Sequence, residues 1–137
     1  MKFVLDTNAV SALMKGDVQV VDRLKRSERA EVGIPQPVLA EIAYGIERLP
    51  RSKRREALAR RFELLKEEIQ RVAWSDKVSD AFGTIKATLE RRGERIEDFD
   101  AAVAAHAIAE GAALVTANVK HLARVPNLEI QDWSISR

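Results

Sequence analysis

Residues 1–8 read MKFVLDTN, so three apolar side chains run directly into an acid, a hydroxyl and an amide. Residues 3–5 are short, apolar and rich in strand-forming types, which predicts a buried β-strand. Asp6, Thr7 and Asn8 follow at the carboxyl end of that strand. A lone acid in this place is most simply a solvated strand end or the cap of the next helix, so its role depends on what else the chain brings to it.

Short apolar stretches alternate with amphipathic ones along the rest of the chain. Further strands are predicted at residues 32–34, 72–74, 114–116 and 128–130. Helices are predicted at about residues 8–15, 18–24, 37–49, 52–69, 76–92 and 98–110. In the second helix, Asp17 is the expected N-cap, and Val18, Val21 and Leu24 are expected to face inward. The alternation predicts a single α/β domain over residues 1–137, a three-layer α/β/α fold with a central, mostly parallel sheet.

The composition is that of a globular protein, with 46% apolar and 32% charged residues. The absence of cysteine excludes disulfides, thiolate metal sites and cysteine nucleophiles. Charged and apolar residues alternate too closely after Met1 for a signal peptide, and no apolar run approaches the roughly 20 residues of a membrane span. We therefore expect a soluble, cytoplasmic protein that does not bind a membrane.

Residues 48–62, RLPRSKRREALARRF, form a strongly basic block in which Glu56 is the only acid. The basic residues of this block are Arg48, Arg51, Lys53, Arg54, Arg55, Arg60 and Arg61. Such a block attracts a polyanion. By itself, however, it is more often a solvated helix face, because basic runs are a weak motif.

Two predicted strands deliver polar groups to the same edge of the sheet. Asp6 follows the first strand, and Asn118 ends the TAN segment that begins at Thr116. In open α/β sheets the working crevice lies beyond the carboxyl ends of the strands. These two side chains are therefore expected near one crevice.

Two further acids lie on predicted helices, in phase with apolar stripes. Glu41 comes three residues after Val38, and Asp100 comes three residues before Val103. Each has an ordinary explanation, since Glu41 can pair with a nearby arginine and Asp100 suits the first turn of a helix. Together with Asp6, however, they place three acids on inward or crevice-facing positions.

Three carboxylates in one crevice repel one another, by about 4 kcal/mol for a pair about 4 Å apart at an effective dielectric near 20. A divalent cation removes that cost, and an all-oxygen ligand set favours Mg²⁺ or Mn²⁺. Water held by such an ion is a nucleophile against a phosphodiester. A metal site beside a basic helix therefore points to phosphate chemistry on a nucleic acid.

Three segments resemble a known family: LDTN at 5–8, PVLAEIAYGIE at 37–47, and GERIEDFDAAVAAHAIAEGAALVTANVKHLARVPNLEIQDW at 93–133. They are similar to PIN-domain ribonucleases, and most similar to the VapC-type toxins of bacterial and archaeal toxin–antitoxin pairs. The resemblance covers nearly the whole chain. It implies a metal-dependent endoribonuclease that a cognate antitoxin holds inactive and that usually pairs as a homodimer.

The resemblance also implies roles for individual residues. Asp6, Glu41 and Asp100 match the family's metal-binding acids, which implies Mg²⁺ or Mn²⁺ as the cofactor. Thr7 and Asn8 match the polar pair that supports the first acid. Independently of the resemblance, the charge of the basic block leads us to expect that it holds the RNA backbone, through Arg48, Arg51, Lys53, Arg54 and Arg55.

One position departs from the family pattern, because many PIN domains carry a fourth acid where this chain has Asn118. An amide can still accept a hydrogen bond from a metal-bound water or ligate weakly, so the departure bears on a second metal and not on the fold. His106 is expected to pack or to hydrogen-bond, and His121 has no recognisable partner pattern. Trp74 and Trp133 are expected to serve packing.

Two other functions remain open at this stage. The chain could be a non-hydrolytic RNA- or protein-binding module that keeps the fold but binds metal weakly, because Asn118 replaces an acid. It could also be a phosphatase that uses Asp6 as a nucleophile, although the aspartyl phosphatase pattern requires an acid where Asn8 stands.

Overall fold

The computed structural model describes residues 1–135, in which five strands form one parallel sheet. The strands are β1 (Phe3–Leu5), β2 (Val32–Pro35), β3 (Gln70–Val72), β4 (Ala113–Val115) and β5 (Ile130–Gln131). Their order across the sheet is β3-β2-β1-β4-β5, so the N-terminal strand lies in the middle. Both neighbours of β1 run parallel to it, which brings the carboxyl ends of β1 and β4 side by side.

Helices cover both faces of this sheet. They are α1 (Thr7–Lys15), α2 (Val18–Lys25), α3 (Gln36–Glu47), α4 (Lys53–Glu68), α5 (Asp76–Arg91), α6 (Asp98–Glu110) and α7 (Val119–Leu122). Val4 and Leu5 point to opposite faces of the sheet, and both are fully buried. The predicted three-layer α/β/α fold is therefore confirmed. No helix within residues 1–135 combines the length and the apolar character that crossing a bilayer requires.

Local capping signals set most of the helix ends. The side chains of Asp17, Ser52 and Ser75 each accept a hydrogen bond from a backbone N–H of the first turn, as N-caps do. Gly16 and Gly111 end α1 and α6 in the left-handed conformation, with φ of 75° and 63°, which glycine adopts without steric cost.

Two sequence expectations were wrong in detail. Val18 is 78% exposed, and Val20 is the buried residue of α2, because Val18 opens the helix at its solvent end. The strand predicted at residues 72–74 ends at Val72, and Trp74 lies beyond it, 45% exposed, with its indole N–H donating to Ser79 Oγ at 2.6 Å.

The alanine-rich helix α6 lies against the sheet and carries the third candidate acid in its first turn. Five of its six alanines are buried together with Val103, and their small side chains allow a close approach to the neighbouring layers. His106 is fully buried in this helix and packs edge-on against Trp74, with ring centroids 5.5 Å apart. Burial lowers the pKa of His106, and neither ring nitrogen finds a hydrogen-bond partner among residues 1–135, so its role here is packing.

Trp133 anchors the C-terminal segment to the middle of the molecule. It is 1% exposed and packs edge-to-face on Phe3 of β1, with centroids 5.3 Å apart. Its indole N–H donates to Gln131 Oε1 at 3.0 Å, and Arg23 donates to the same oxygen at 3.1 Å while lying 5.4 Å from the indole centroid. This cluster connects the end of β5 and the segment after it to β1 and α2.

We expect Trp133→Ala to lower the free energy of unfolding by about 3–5 kcal/mol, because it removes a fully buried indole and leaves a cavity. Trp74→Ala is the matched control, and it should cost clearly less because half of that side chain is already in water. Urea unfolding followed by circular dichroism measures both. Equal losses would contradict the role given to Trp133.

Candidate metal centre

Asp6 lies at the carboxyl end of the central strand and caps α1. It is only 5% exposed, although its side chain is ionisable. Its Oδ1 accepts from the Thr7 backbone N–H at 2.7 Å, and its Oδ2 accepts from Thr116 Oγ1 at 2.8 Å and Asn8 Nδ2 at 3.3 Å. Its own backbone N–H donates to the Val115 carbonyl at 2.9 Å, which ties the end of β1 to the end of β4.

Thr116 and Asn8, which donate to the carboxylate of Asp6, are themselves held by further hydrogen bonds. Thr116 Oγ1 accepts from Asn8 Nδ2 at 2.9 Å and from the Asn118 backbone N–H at 3.0 Å, which leaves its own proton for Asp6. Asn8 Oδ1 accepts from the Ala117 backbone N–H at 2.8 Å. The loop after β4 is thereby fixed to the start of α1. Sequence reasoning missed the role of Thr116, although a hydroxyl at the end of a neighbouring parallel strand was the available signal.

Asp100 approaches Asp6 from the first turn of α6. Its side chain is 21% exposed, and its Oδ2 lies 3.1 Å from His121 Nε2. The negative charge of Asp100 helps to raise the pKa of Asp6, which places the two carboxylates within electrostatic reach of each other. The sequence offered no partner for His121, because this contact joins positions that are adjacent only in the folded chain.

His121 is held from behind by Arg124. One guanidinium nitrogen of Arg124 lies 3.3 Å from both ring nitrogens of His121. The other guanidinium nitrogens donate to the His121 carbonyl at 3.0 Å and to the Arg95 carbonyl at 2.8 Å. The imidazole therefore has a fixed place beside Asp100.

Glu41 stands apart from this pair. Its side chain is exposed on α3, where it lines a cavity of about 580 Å³ together with Thr7, the residue that follows Asp6. Within residues 1–135, no three Asp, Glu or His side chains are close enough as they stand to surround an ion. The structure thus brings Asp6 and Asp100 together and leaves Glu41 on the adjoining wall.

Asn118 immediately precedes α7, and Asp98 is the first residue of α6. Asn118 is exposed at the start of α7 and does not cap that helix with its side chain. Asp98 opens α6 and pairs with Lys86, away from the acids of the crevice. Asp98 is therefore a helix N-terminal acid.

The electrostatics of the crevice fit a hard divalent cation. The pKa of Asp6 is raised, mainly because burial disfavours its charged form and additionally by Asp100, while hydrogen bonds from Thr116, Thr7 and Asn8 counteract the shift. Thr7 Oγ1 is buried and has no hydrogen-bond partner among residues 1–135. Carboxylate oxygens whose charge is only partly compensated are the kind of ligand that a hard divalent cation prefers.

Some side chains of the basic block line the cavity, some are hydrogen-bonded to other parts of the protein, and some are exposed. Arg48 and Arg54 line the same cavity as Glu41. Arg55 donates to the Leu49 carbonyl at 3.0 Å and pairs with Glu47 at 3.0 Å. In addition, Arg61 donates to the Met14 carbonyl, and Arg51 and Lys53 are exposed at the beginning of α4.

We expect Asp100→Asn to lower the pKa of Asp6, because the substitution removes a neighbouring negative charge. A carboxyl with a raised folded pKa loses stability as pH rises from its ordinary value near 3.8 through the folded value. At neutral pH, Asp100→Asn restores part of this lost stability, because it lowers the pKa of Asp6. It also removes the partly exposed contact between Asp100 and His121, which costs stability. Because the two effects oppose each other, the free energy of unfolding should change by less than about 1 kcal/mol.

Carboxyl NMR titration of Asp6 and urea unfolding without metal measure these two quantities. An unfolded Asp100→Asn protein would make Asp100 a structural residue. An unchanged Asp6 pKa would show that the two carboxylates do not interact.

Comparison with known proteins places this arrangement in a family. Residues 3–128 match the PIN domain. The chain is 33% identical to "Ribonuclease VapC2" of Rickettsia felis over 97% of its length and 98% of the relative's. It is 28% identical to the "tRNA(fMet)-specific endonuclease VapC" of Salmonella typhimurium, with 97% and 98% covered.

Solved structures give the same result. The VapBC2 structure from Rickettsia felis bound to a promoter DNA fragment superposes with a TM-score of 0.85 at 30% identity, covering 97% of this chain and 99% of the other. DNA-bound VapBC from Salmonella typhimurium gives a TM-score of 0.87 at 26% identity, with 97% and 98% covered. By its domain, its fold and these relatives, the chain belongs to the PIN-domain family, among the VapC-type ribonucleases.

Proposed function

We propose that this protein is a metal-dependent endoribonuclease that hydrolyses RNA phosphodiester bonds and acts as the toxin of a toxin–antitoxin pair. The observation that carries the proposal is the buried carboxylate of Asp6 at the end of the central strand, with Asp100 beside it. The VapC relatives over nearly the whole chain, which are named as ribonucleases, support the same activity.

Asp6, Glu41 and Asp100 are the residues that we propose to hold the ion, and Mg²⁺ or Mn²⁺ is the metal that oxygen ligands favour. When bound, a divalent cation supplies a water of lowered pKa as the nucleophile and offsets the negative charge of the phosphate. Glu41 is exposed on the wall of the cavity, and in this proposal its side chain turns toward Asp6 and Asp100 when the ion binds. Asn118 is an exposed amide at the same edge of the sheet, and in this proposal it assists the three acids in holding the ion.

The remaining residues of the site keep the first acid in place. Thr7 and Asn8 support Asp6 by hydrogen bonds, and Thr116 fixes the orientation of its second oxygen. Because these donors are set by the fold, Asp6 is oriented before substrate arrives, which is the preorganisation that catalysis requires. Burial of Asp6 also limits the water that competes for its charge.

The basic block binds the RNA backbone in this proposal. Arg48 and Arg54 lie on the cavity wall that Glu41 shares, and Arg51 and Lys53 extend the positive surface at the start of α4. Arg55 adds less, because Glu47 already pairs with it. Contacts to phosphates add affinity without selecting a sequence.

The proposed partners are a cognate antitoxin and a second copy of the chain. Two structural neighbours above 25% identity are described as VapBC assemblies, and the solved Haemophilus influenzae VapBC-1 is another at 28% identity. We propose that an antitoxin covers the crevice of this chain, that the toxin pairs as a homodimer, and that it works in the cytoplasm, where its RNA substrate is found.

A catalytically weak RNA- or protein-binding module is the second candidate. The separation of Glu41 from the Asp6–Asp100 pair and the amide at Asn118 favour it, because both weaken metal binding. Saturable Mn²⁺ binding that Asp6→Asn abolishes would support the enzyme. No binding at millimolar metal would support the module.

We expect purified protein, freed of any bound partner, to cut a pool of structured RNA at discrete positions with Mg²⁺ or Mn²⁺ and not with chelator. Asp6→Asn and Asp100→Asn should each reduce cleavage about a hundred-fold or more, because each removes charge from the proposed ion site. Gel analysis of end-labelled RNA measures the cuts. Cleavage that survives both the chelator and the substitutions would disprove the metal mechanism.

We expect Arg54→Gln to remove about one phosphate contact. The slope of log RNA affinity against log salt concentration should therefore become less steep by about 0.7 for single-stranded RNA. Arg55→Gln is the matched control one residue away, and it should change the slope less because Glu47 neutralises this guanidinium. Filter binding across a salt series measures both slopes. Equal changes in slope for the two variants would show that the contribution of an arginine to RNA binding does not depend on whether it lines the cavity.

A further inference from the structure

We propose that Tyr44 is a stacking platform for one unpaired base of the RNA, placed one helical turn from Glu41. The inference rests on the proposed action on RNA and adds a substrate-positioning residue to it. Tyr44 follows Glu41 by three residues on α3, so the two side chains lie on the same side of the helix. A base on this ring would belong to a nucleotide close to the phosphate that is cut.

The ring of Tyr44 is available because the core does not use it. It is 67% exposed, whereas Val38, Leu39 and Ile42 of the same helix are buried and provide the packing of α3. Single exposed apolar residues are common and need no explanation by themselves. What distinguishes this ring is its position on the wall of the cavity that Thr7 and Glu41 also line.

The surroundings of Tyr44 match a nucleotide in both shape and charge. The cavity of about 580 Å³ lies within the usual range for ligand sites, about 300–1,000 Å³. The Arg48 guanidinium carbon lies over the ring of Tyr44, 5.9 Å from its centroid, so a base would stack on the opposite face. Arg54 lines the same cavity. An aromatic ring with two arginines close by combines a site for a base with sites for the phosphates that flank it.

Gly45 leaves open space next to the ring. It lines the same cavity, and a Cβ built on Gly45 would meet nothing within 4 Å. A larger residue here would occupy the place that we assign to the base, without a clash inside the protein. The cationic wall formed by Lys15, Arg48 and Arg54 favours a polyanion over an acid-poor peptide as the occupant.

Stacking at this distance from the reacting phosphate should contribute equally in the ground state and in the transition state. Tyr44→Leu is therefore expected to raise KM by about five-fold to a hundred-fold and to change kcat little. Tyr44→Phe keeps the ring and should restore KM. Gly45→Leu should raise KM as well, because its side chain would occupy the proposed base site.

The direct test is fluorescence of a short single-stranded RNA that carries 2-aminopurine, mixed with protein that holds Asp100→Asn so that the RNA is not cut. Binding should quench the 2-aminopurine by stacking, and adding Tyr44→Leu should abolish the quenching, whereas adding Tyr44→Phe should preserve it. The same sequence in a duplex should show no quenching. Leu64→Ala is the matched control, because Leu64 is similarly exposed, at 59%, and does not line this cavity.

The outcomes separate this inference from the proposed function. If the unsubstituted protein cuts RNA and Tyr44→Leu leaves KM and quenching unchanged, the platform is wrong and the nuclease stands. If the protein shows no metal-dependent cleavage but Tyr44 still quenches the bound base, the platform stands and the nuclease is wrong. A loss of Mn²⁺ binding or of folding in Tyr44→Leu, without rescue by Tyr44→Phe, would make Tyr44 structural and overturn the inference.

Discussion

The constraint on which the site depends is the burial of a carboxylate at the end of the central strand. Asp6 is almost completely removed from water, and its charge is compensated only in part by donors from Thr7, Asn8 and Thr116. An ionised group in such a place is costly unless hydrogen bonds or an opposite charge compensate it. The fold supplies the hydrogen bonds and, with Asp100 nearby, adds charge of the same sign.

This arrangement explains why the junction of β1, α1 and β4 is so fully hydrogen-bonded. Asn8 joins the first turn of α1 to the loop after β4 through both ends of its amide. Thr116 accepts two hydrogen bonds and donates one, so its hydroxyl has a single orientation, toward Asp6. A carboxylate fixed in this way loses little entropy when it binds an ion or orients a reactant.

The two sides of the crevice carry different kinds of side chain. On one side, hydrogen bonds fix the carboxylate of Asp6, and Asp100 is close enough to raise the pKa of Asp6, with His121 held beside Asp100 by Arg124. On the other side, α3 presents exposed and longer side chains, with Glu41, Tyr44 and Arg48 along one face. The rigid side suits an ion, and the exposed side suits a flexible polyanion, which agrees with the proposed action on RNA.

Local patterns predicted most of the architecture because they depend on neighbours along the chain. The strand at residues 3–5 and the N-cap Asp17 appear where the sequence predicts them. The N-caps Ser52 and Ser75 and the left-handed ends at Gly16 and Gly111 are of the residue types that such positions favour. The exceptions were local as well. The inward face of α2 and the end of β3 differ by about two residues, which is the usual uncertainty of element boundaries read from periodicity.

The order of residues alone indicates that Asp6 follows a buried strand, that Asp100 lies at the start of an alanine-rich helix, and that a basic block follows α3. Which of these groups meet depends on the folded arrangement of the strands and helices. The contacts of Thr116 with Asp6 and of His121 with Asp100 depend on β4 lying directly beside β1. The pairing of Arg55 with Glu47 likewise depends on the turn between α3 and α4. Periodicity and capping act within a few residues, whereas the order of strands in a parallel sheet joins distant positions, and no local pattern encodes that order.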